Sequence, residues 1–163
     1  MISFIKATSN THFEQIADLA SIIWKEHYTK LIGEEQVIYM LQTFQSTEAI
    51  KKQVIEHYEY YILAYNTKPV GYISIKEENS YLFLSKLYLL NRFRGKKIGK
   101  KDLFFIEERA IILGIKTIRL TVNRLNTNSI KAYEKMGFKT KGPLVTNIGN
   151  GFVMDDYEMI KTI

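Results

Sequence analysis

The chain has 163 residues, 46% hydrophobic and 25% charged, a balance that fits one soluble globular domain, residues 1–163, with a sizeable core. It has no cysteine, which excludes a disulfide framework and a thiolate metal site, and no apolar run approaches the roughly 18 residues of a membrane span. The net charge is +6, and six cations stand together in Arg92–Lys101, RFRGKKIGKK, so that the rest balances at 17 Lys+Arg against 17 Asp+Glu.

Residues 2–8, ISFIKAT, predict a short strand. Thr11-x-x-Glu14 then offers a capping box, and Phe13, Ile16, Ala17, Ala20, Ile23 and Trp24 recur at helical spacing, which predicts a helix to about Tyr28. Gly33 breaks the chain. Val37, Met40, Leu41 and Phe44 mark a second amphipathic helix, and a third is predicted from Thr47 to about Ile55. Residues 59–65 and 70–76 are aromatic and β-branched and read as an antiparallel hairpin across NTKP, with Pro69 in or just after the turn. A further strand over 81–90 ends at the basic segment. From Ile98 the pattern is helical, with Leu103, Ile106, Ala110 and Leu113 on one face and Gly114 as the stop. A strand over 116–122, a helix to Met136 closed by Gly137, and strands near 138–147 and 151–161 complete the order.

That order predicts a mixed α/β fold: a central twisted sheet of about seven strands flanked by helices, with some antiparallel pairs. Strand 81–90, the helix after it and strand 116–122 form a βαβ unit, so these two strands are expected to be parallel with a right-handed crossover. The opening MISFIKATSN lacks the apolar run and cleavage site of a secretion signal, which makes a cytoplasmic location the expectation.

A nucleic-acid binder spreads positive charge over a face or stripe. Here the excess sits in one ten-residue window between a strand and a helix start, which argues for a compact polyanion instead, and no nucleic-acid partner is expected. A helix start leaves backbone N–H groups unpaired beside a partial positive charge. Gly95 and Gly99 let main chain approach a ligand closely, and consecutive turn amides can form a concave nest for phosphate oxygens. The run is neither a P-loop, because Lys100 is followed by Lys101 where Ser or Thr is required, nor a dinucleotide fingerprint.

Leu87-Tyr88-Leu89 followed by Arg94-Gly95-Lys96-Lys97-Ile98-Gly99-Lys100 resembles the acetyl-coenzyme A motif of the GNAT N-acetyltransferase superfamily, R-G-x-G-x-G. Asn126-x-x-Ser129-x-x-x-Tyr133-Glu134-Lys135-Met136-Gly137-Phe138 is similar to its second signature, N-x-x-A-x-x-x-Y-x-x-x-G-F. Both occur in the family's order, and the likeness of elements extends over nearly the whole chain. Lys97 departs from the pattern by replacing the middle glycine. Within the superfamily the helical N-terminal third, FQSTEAI, YEKMGF and DYEMIKT look most like PaiA-type polyamine (spermidine or spermine) acetyltransferases.

The resemblance implies acetyl-coenzyme A as acyl donor, coenzyme A as product, a small-molecule amine as acceptor, and no metal. It implies that the parallel strands splay at their C-terminal ends, that the main chain of Leu87 and Leu89 pairs with the pantetheine arm, and that the turn from Arg94 to Lys100 receives the pyrophosphate. Asn126, Ser129 and Lys135 are expected on the same ligand, and Tyr133 as the general acid for the departing thiolate. Trp24, His27 and Tyr28, at the end of the first helix, are expected near the acceptor. Glu77 and Glu78 read as hairpin surface, Asp155 and Asp156 as acidic turn or edge residues that could meet a polyamine, and Ser85-Lys86 occupy the place where PaiA-type relatives carry a glutamate. No base is assigned. A peptide acetyltransferase, a non-catalytic acyl-coenzyme A-binding module, and a nucleic-acid-binding module built on the basic turn are the alternatives, and the oligomeric state, a homodimer included, is left open.

Overall fold

The computed structural model describes all residues, 1–163, in the order β1 (Ile2–Lys6), α1 (Asn10–Ile32), α2 (Glu34–Phe44), α3 (Thr47–Ile55), β2 (Tyr58–Tyr65), β3 (Lys68–Glu77), β4 (Leu82–Leu89), α4 (Ile98–Ile112), β5 (Thr117–Asn123), α5 (Thr127–Lys135), β6 (Lys139–Gly149) and β7 (Phe152–Thr162). One 3-10 turn, Asn91–Phe93, lies between β4 and the basic turn. The seven strands follow the order β1-β2-β3-β4-β5-β7-β6. No helix is long and apolar enough to cross a membrane.

The chain packs as two compact units, residues 1–76 with 86–101, and residues 77–85 with 102–163, so β4 contributes its first half to one and its second half to the other. In the first unit, β1 and β3 flank β2 in antiparallel register, Phe4 opposite Leu63 and Ile73 opposite Tyr61. The β2–β3 turn is only Asn66-Thr67, both left-handed at φ 48° and 70°, the two-residue geometry that matches strand twist. Pro69 lies inside β3, opposite Ala64 at a register shift where a missing N–H is tolerated. Gly71 is required by close approach: a Cβ there would stand 2.2 Å from the Tyr88 carbonyl oxygen.

Helix α1 is longer than its periodicity suggests. It begins one cap earlier, Ser9 accepting from the His12 N–H, and runs to Ile32 before Gly33 ends it at φ 86°. The Thr11–Glu14 capping box is thus not used, and Trp24, His27 and Tyr28 lie inside the helix rather than at its end. Helix α3 is capped as its Ser46-x-x-Ala49 spacing allows, the hydroxyl accepting from the Ala49 N–H.

In the second unit, β4 and β5 are parallel, but their ladder covers only Leu82↔Ile118 to Leu84↔Leu120, while β4 runs on to Leu89 and β5 to Asn123. On its other side β5 pairs antiparallel with β7 along its whole length, Thr117↔Thr162 to Asn123↔Asp156. β7 therefore sits between β5 and β6, and Asp155 and Asp156 are mid-strand residues rather than turn or edge residues. Ile118, Leu120 and Met159 are buried here, as are Leu103, Ile106 and Ala110 of α4.

Candidate functional site

The basic turn is built from backbone before charge. Gly95 (φ 75°) and Lys97 (φ 61°) are both left-handed, two residues apart, immediately before α4. That conformation is free for glycine and costs an L-residue about 1–2 kcal/mol, so Lys97 takes a glycine-like backbone conformation while carrying a side chain. The side chains of Lys96, Lys97 and Lys100 are exposed, and Ile98 is buried as the anchor of the helix start. Gly99, with no atom within 4 Å of a Cβ built on it, leaves open space beside the first turn.

Arg94 does not stand with the lysines. Its Nη1 is 3.2 Å from His27 Nδ1, and because a guanidinium only donates, that ring nitrogen is the acceptor in this contact. Two residues expected at separate sub-sites are partners through this contact. Glu26 reaches the same segment, its carboxylate accepting from the Asn91 N–H at 2.8 Å.

Trp24 and Tyr28 are buried, stacked at 4.4 Å, and both meet the ring of Tyr88 edge-on, at 5.6 and 6.1 Å. They form an aromatic cluster under the second half of β4, with Tyr72 at 5.4 Å from Tyr88. Leu87, Tyr88 and Leu89 are each half-buried.

The sequence reading missed the polar seam next to that cluster. Gln53 Oε1 accepts from the Tyr60 hydroxyl at 2.5 Å and from Lys86 Nζ at 3.1 Å, and Tyr72 donates to Gln45 at 2.9 Å. Lys86 Nζ also lies over the Tyr58 and Tyr60 rings at 5.7 and 5.3 Å. Burial lowers its pKa from 10.5 to about 8, and burial likewise holds the Tyr60 and Tyr72 phenols above their ordinary range. The available signal was its place in the strand, two residues from buried Leu84. Asp102 was missed too: it is fully buried, with no hydrogen bond to either carboxylate oxygen, and burial raises its pKa to about 7. Its signal was the row Ile98, Asp102, Ile106, Ala110, one i+4 stripe of α4 that the structure buries throughout.

Helix α5 explains its own signature. Asn126 is buried and caps the helix, Oδ1 accepting from the Ser129 N–H at 3.4 Å, so Asn126 and Ser129 are paired with each other. At the far end Gly137 is left-handed at φ 97°, its N–H bonds to the Glu134 carbonyl, and the Phe138 N–H bonds to the Tyr133 carbonyl at 3.0 Å. This is a Schellman close, and its usual apolar contact is Phe138 packed edge-on against the Tyr133 ring at 5.5 Å. The Gly-Phe of the motif therefore fixes the half-buried Tyr133 from its own main chain, while Lys135 is exposed.

Asp156 stands opposite Asn123 at the carboxyl end of β5 and is 7% exposed, with Oδ1 lacking any hydrogen-bond partner. Burial first, and the neighbouring Asp155 second, raise its pKa to about 6. Asp155 is drawn to Arg124 Nη1 at 3.5 Å. Glu77 is the exposed last residue of β3, and in the turn that follows the Glu78 N–H bonds to the Tyr81 carbonyl. A cleft of about 570 Å³ lined by Tyr81, Arg119, Lys141 and Glu158 holds none of the motif residues, and its charges are spent on each other through the Arg119–Glu158 and Lys141–Glu158 pairs.

Residues 28–161 match the family described as Acetyltransferase (GNAT) domain. The spermidine N(1)-acetyltransferase of Thermoplasma acidophilum is 26% identical over 156 residues, covering 93% of this chain and 94% of that one. The crystal structure of the PaiA N-acetyltransferase from Thermoplasma acidophilum in complex with coenzyme A superposes with a TM-score of 0.84 at 25% identity, over 100% of this chain and 99% of that one. A GCN5-related N-acetyltransferase from Rhodopseudomonas palustris shares the fold at a TM-score of 0.82 and 16% identity, over 99% and 95% of the two chains.

Proposed function

Because the chain belongs to the GNAT acetyltransferase domain family, an acyltransferase family, we propose that it moves the acetyl group of acetyl-coenzyme A to a primary amine of a small polyamine. The observation that carries the donor is the turn before α4, where left-handed Gly95 and Lys97 and the open space at Gly99 suit main-chain amides gripping a diphosphate. Exposed Lys96, Lys97 and Lys100 add attraction to it, and the main chain of Leu87 and Leu89 is the edge for the pantetheine arm. Arg94, tied to His27, holds the turn to α1 and acts through its position. Lys135 remains a phosphate partner, whereas Asn126 and Ser129 serve by setting the helix that carries Tyr133.

Acetyl-coenzyme A supplies an activated thioester. The acceptor nitrogen must attack as a neutral amine, and an alkylammonium of pKa about 10 is uncharged in only about one molecule in a thousand at pH 7. Tyr133 donates its phenolic proton to the leaving thiolate, a role suited to a pKa of about 10 against about 8.5 for a thiol. Trp24 and Tyr28 shape the acceptor side from beneath, by packing, rather than by touching the amine.

The spermidine acetyltransferase likeness over nearly the whole chain favours a polyamine acceptor. Thiol release from acetyl-coenzyme A, measured over spermidine, spermine, amino acids and peptides, tests it. Release with spermidine or spermine well above buffer is expected; release with peptides alone would overturn the polyamine reading and leave a peptide acetyltransferase.

A further inference from the structure

We propose that the Asp156 carboxylate is the base that takes the first proton from the incoming primary ammonium. The inference rests on the acetyl-transfer reading above and supplies the group which that reading lacks. β4 offers no carboxylate: its polar residues are Ser85, Lys86 and Tyr88, and the Lys86 ammonium is engaged by Gln53.

The placement is what selects Asp156. It pairs with Asn123, the last residue of β5, three residues beyond the point where the parallel ladder with β4 stops at Leu120. Ligands of open α/β sheets sit outside the carboxyl ends of parallel strands, and the chain leaves this same end through Asn126 into the helix that presents Tyr133. The carboxylate is nine-tenths buried, and Oδ1 has no donor. A polar oxygen buried without a partner is unfavourable, so an ammonium docking there gains a desolvated, unspent acceptor.

The neighbouring carboxylates each have a cationic partner, although Asp155 Oδ1, like Asp156 Oδ1, has no hydrogen bond. Asp155 is drawn to Arg124, and Glu158, the next residue on the same side of β7, is held by Arg119 and Lys141. Its cross-strand partners, Asn123 and Leu144, carry no charge. The raised pKa brings the base closer to that of the ammonium it must deprotonate.

The step balances. The ammonium gives one proton to Asp156, and the resulting amine forms the C–N bond as the C–S bond breaks. The thiolate takes the Tyr133 proton, and the second proton lost from nitrogen restores the phenol. Asp156 then releases its proton to solvent, so that amine in its protonated form and thioester yield amide, thiol and one proton.

The test compares wild type with Asp156→Asn and Asp156→Glu, using spermidine or whichever primary amine releases most thiol in the acceptor screen. Asp156→Asn is expected to lower kcat/KM by about 10²–10³-fold and to abolish the acidic limb of its pH profile near 6, with the Kd for coenzyme A unchanged. Asp156→Glu is expected to recover part of the loss. With trifluoroethylamine, a primary amine already neutral at pH 7, the penalty of Asp156→Asn should shrink at least tenfold, which a merely structural role would not produce. An unaltered limb and unaltered kcat/KM in Asp156→Asn, in an active wild type, overturn this inference alone. A wild type that releases no thiol with any amine removes the acetyl-transfer reading and this one with it.

Discussion

Lys86 yields the most quantitative prediction. Replacing it by methionine keeps a long unbranched side chain in the seam while removing a buried charge. The fall of its pKa from 10.5 to about 8, at about 1.4 kcal/mol per tenfold, means that folding the protonated side chain costs roughly 3 kcal/mol relative to the neutral one. The native state binds its proton less tightly than the unfolded chain does. Stability is therefore fully recovered only above about pH 10.5, climbs between about 8 and 10.5, and is depressed at all lower pH.

Against that gain stand the hydrogen bond to Gln53 and the faces of Tyr58 and Tyr60, together worth about 1–2 kcal/mol. Gln53 Oε1 is not orphaned by the change, because the Tyr60 hydroxyl still donates to it. The net expectation for Lys86→Met at pH 7 is a gain of about 1–2 kcal/mol, or about 2–8 °C in Tm for a chain of this size. The gain should shrink as pH rises above about 8 and turn into a small loss above about pH 10.5, where the charge penalty is gone and only the lost contacts count. Thermal unfolding followed by circular dichroism at pH 7 and at the alkaline end reads both numbers. A variant less stable than wild type at pH 7, or a difference that does not vary with pH, would show that the seam needs the ammonium and that the desolvation argument fails.

Tyr133→Phe should reduce kcat about 10²–10⁴-fold with coenzyme A affinity preserved, since the ring contact with Phe138 survives; unchanged turnover at saturating substrates removes Tyr133 from the reaction. Lys97→Gly relieves a left-handed L-residue and should raise stability in urea unfolding by up to about 1 kcal/mol after the entropic cost of glycine, whereas a loss would mean that the lysine side chain itself holds the turn. Asp102→Asn removes a carboxyl whose folded pKa, about 7, lies above the ordinary 3.8, so native stability is intact below 3.8 and is lost as pH rises through 7. The variant should exceed wild type by about 1–3 kcal/mol at pH 8 and match it near pH 4; equal curves at pH 8 would refute the buried-charge account.

The sequence carried the order and type of every strand and helix because each element announces itself locally: aromatic and β-branched runs in β2 and β3, a 3.6-residue apolar stripe in α1, and glycine stops at Gly33, Gly114 and Gly137. Helix α5 was legible to the level of chemistry, since its cap and its Schellman close are sequence-local and together orient Tyr133. What stayed hidden was set by tertiary contact. The pairing of Arg94 with His27 joins residues 67 positions apart, and the insertion of β7 between β5 and β6 turns Asp156 from an edge acid into a buried one. Neither can be read from spacing. Ser9 outcompeted Thr11 as the cap of α1 for a simpler reason: either hydroxyl can serve, and the chain entering from β1 decides which one does.

Lys86, Asp102 and Asp156 are all titratable, nearly or fully buried, and shifted towards neutrality. Stability alone would disfavour each, because burying a charge costs more than burying an apolar side chain of like size. They are told apart by what surrounds them. Lys86 is engaged by Gln53 and two aromatic faces, so its neighbours have been shaped to hold it. Asp102 lies on the buried stripe of α4, locked between turns occupied by Ile98 and Ile106, where no donor meets it. Asp156 alone combines an unspent oxygen with a position at the carboxyl end of a parallel strand, where an open sheet receives its ligands. The three substitutions should therefore separate: activity should follow Asp156, while stability at pH 8 should follow Asp102 and Lys86. A variant of Asp102 that lost turnover without losing coenzyme A affinity would place the working carboxylate on α4 instead.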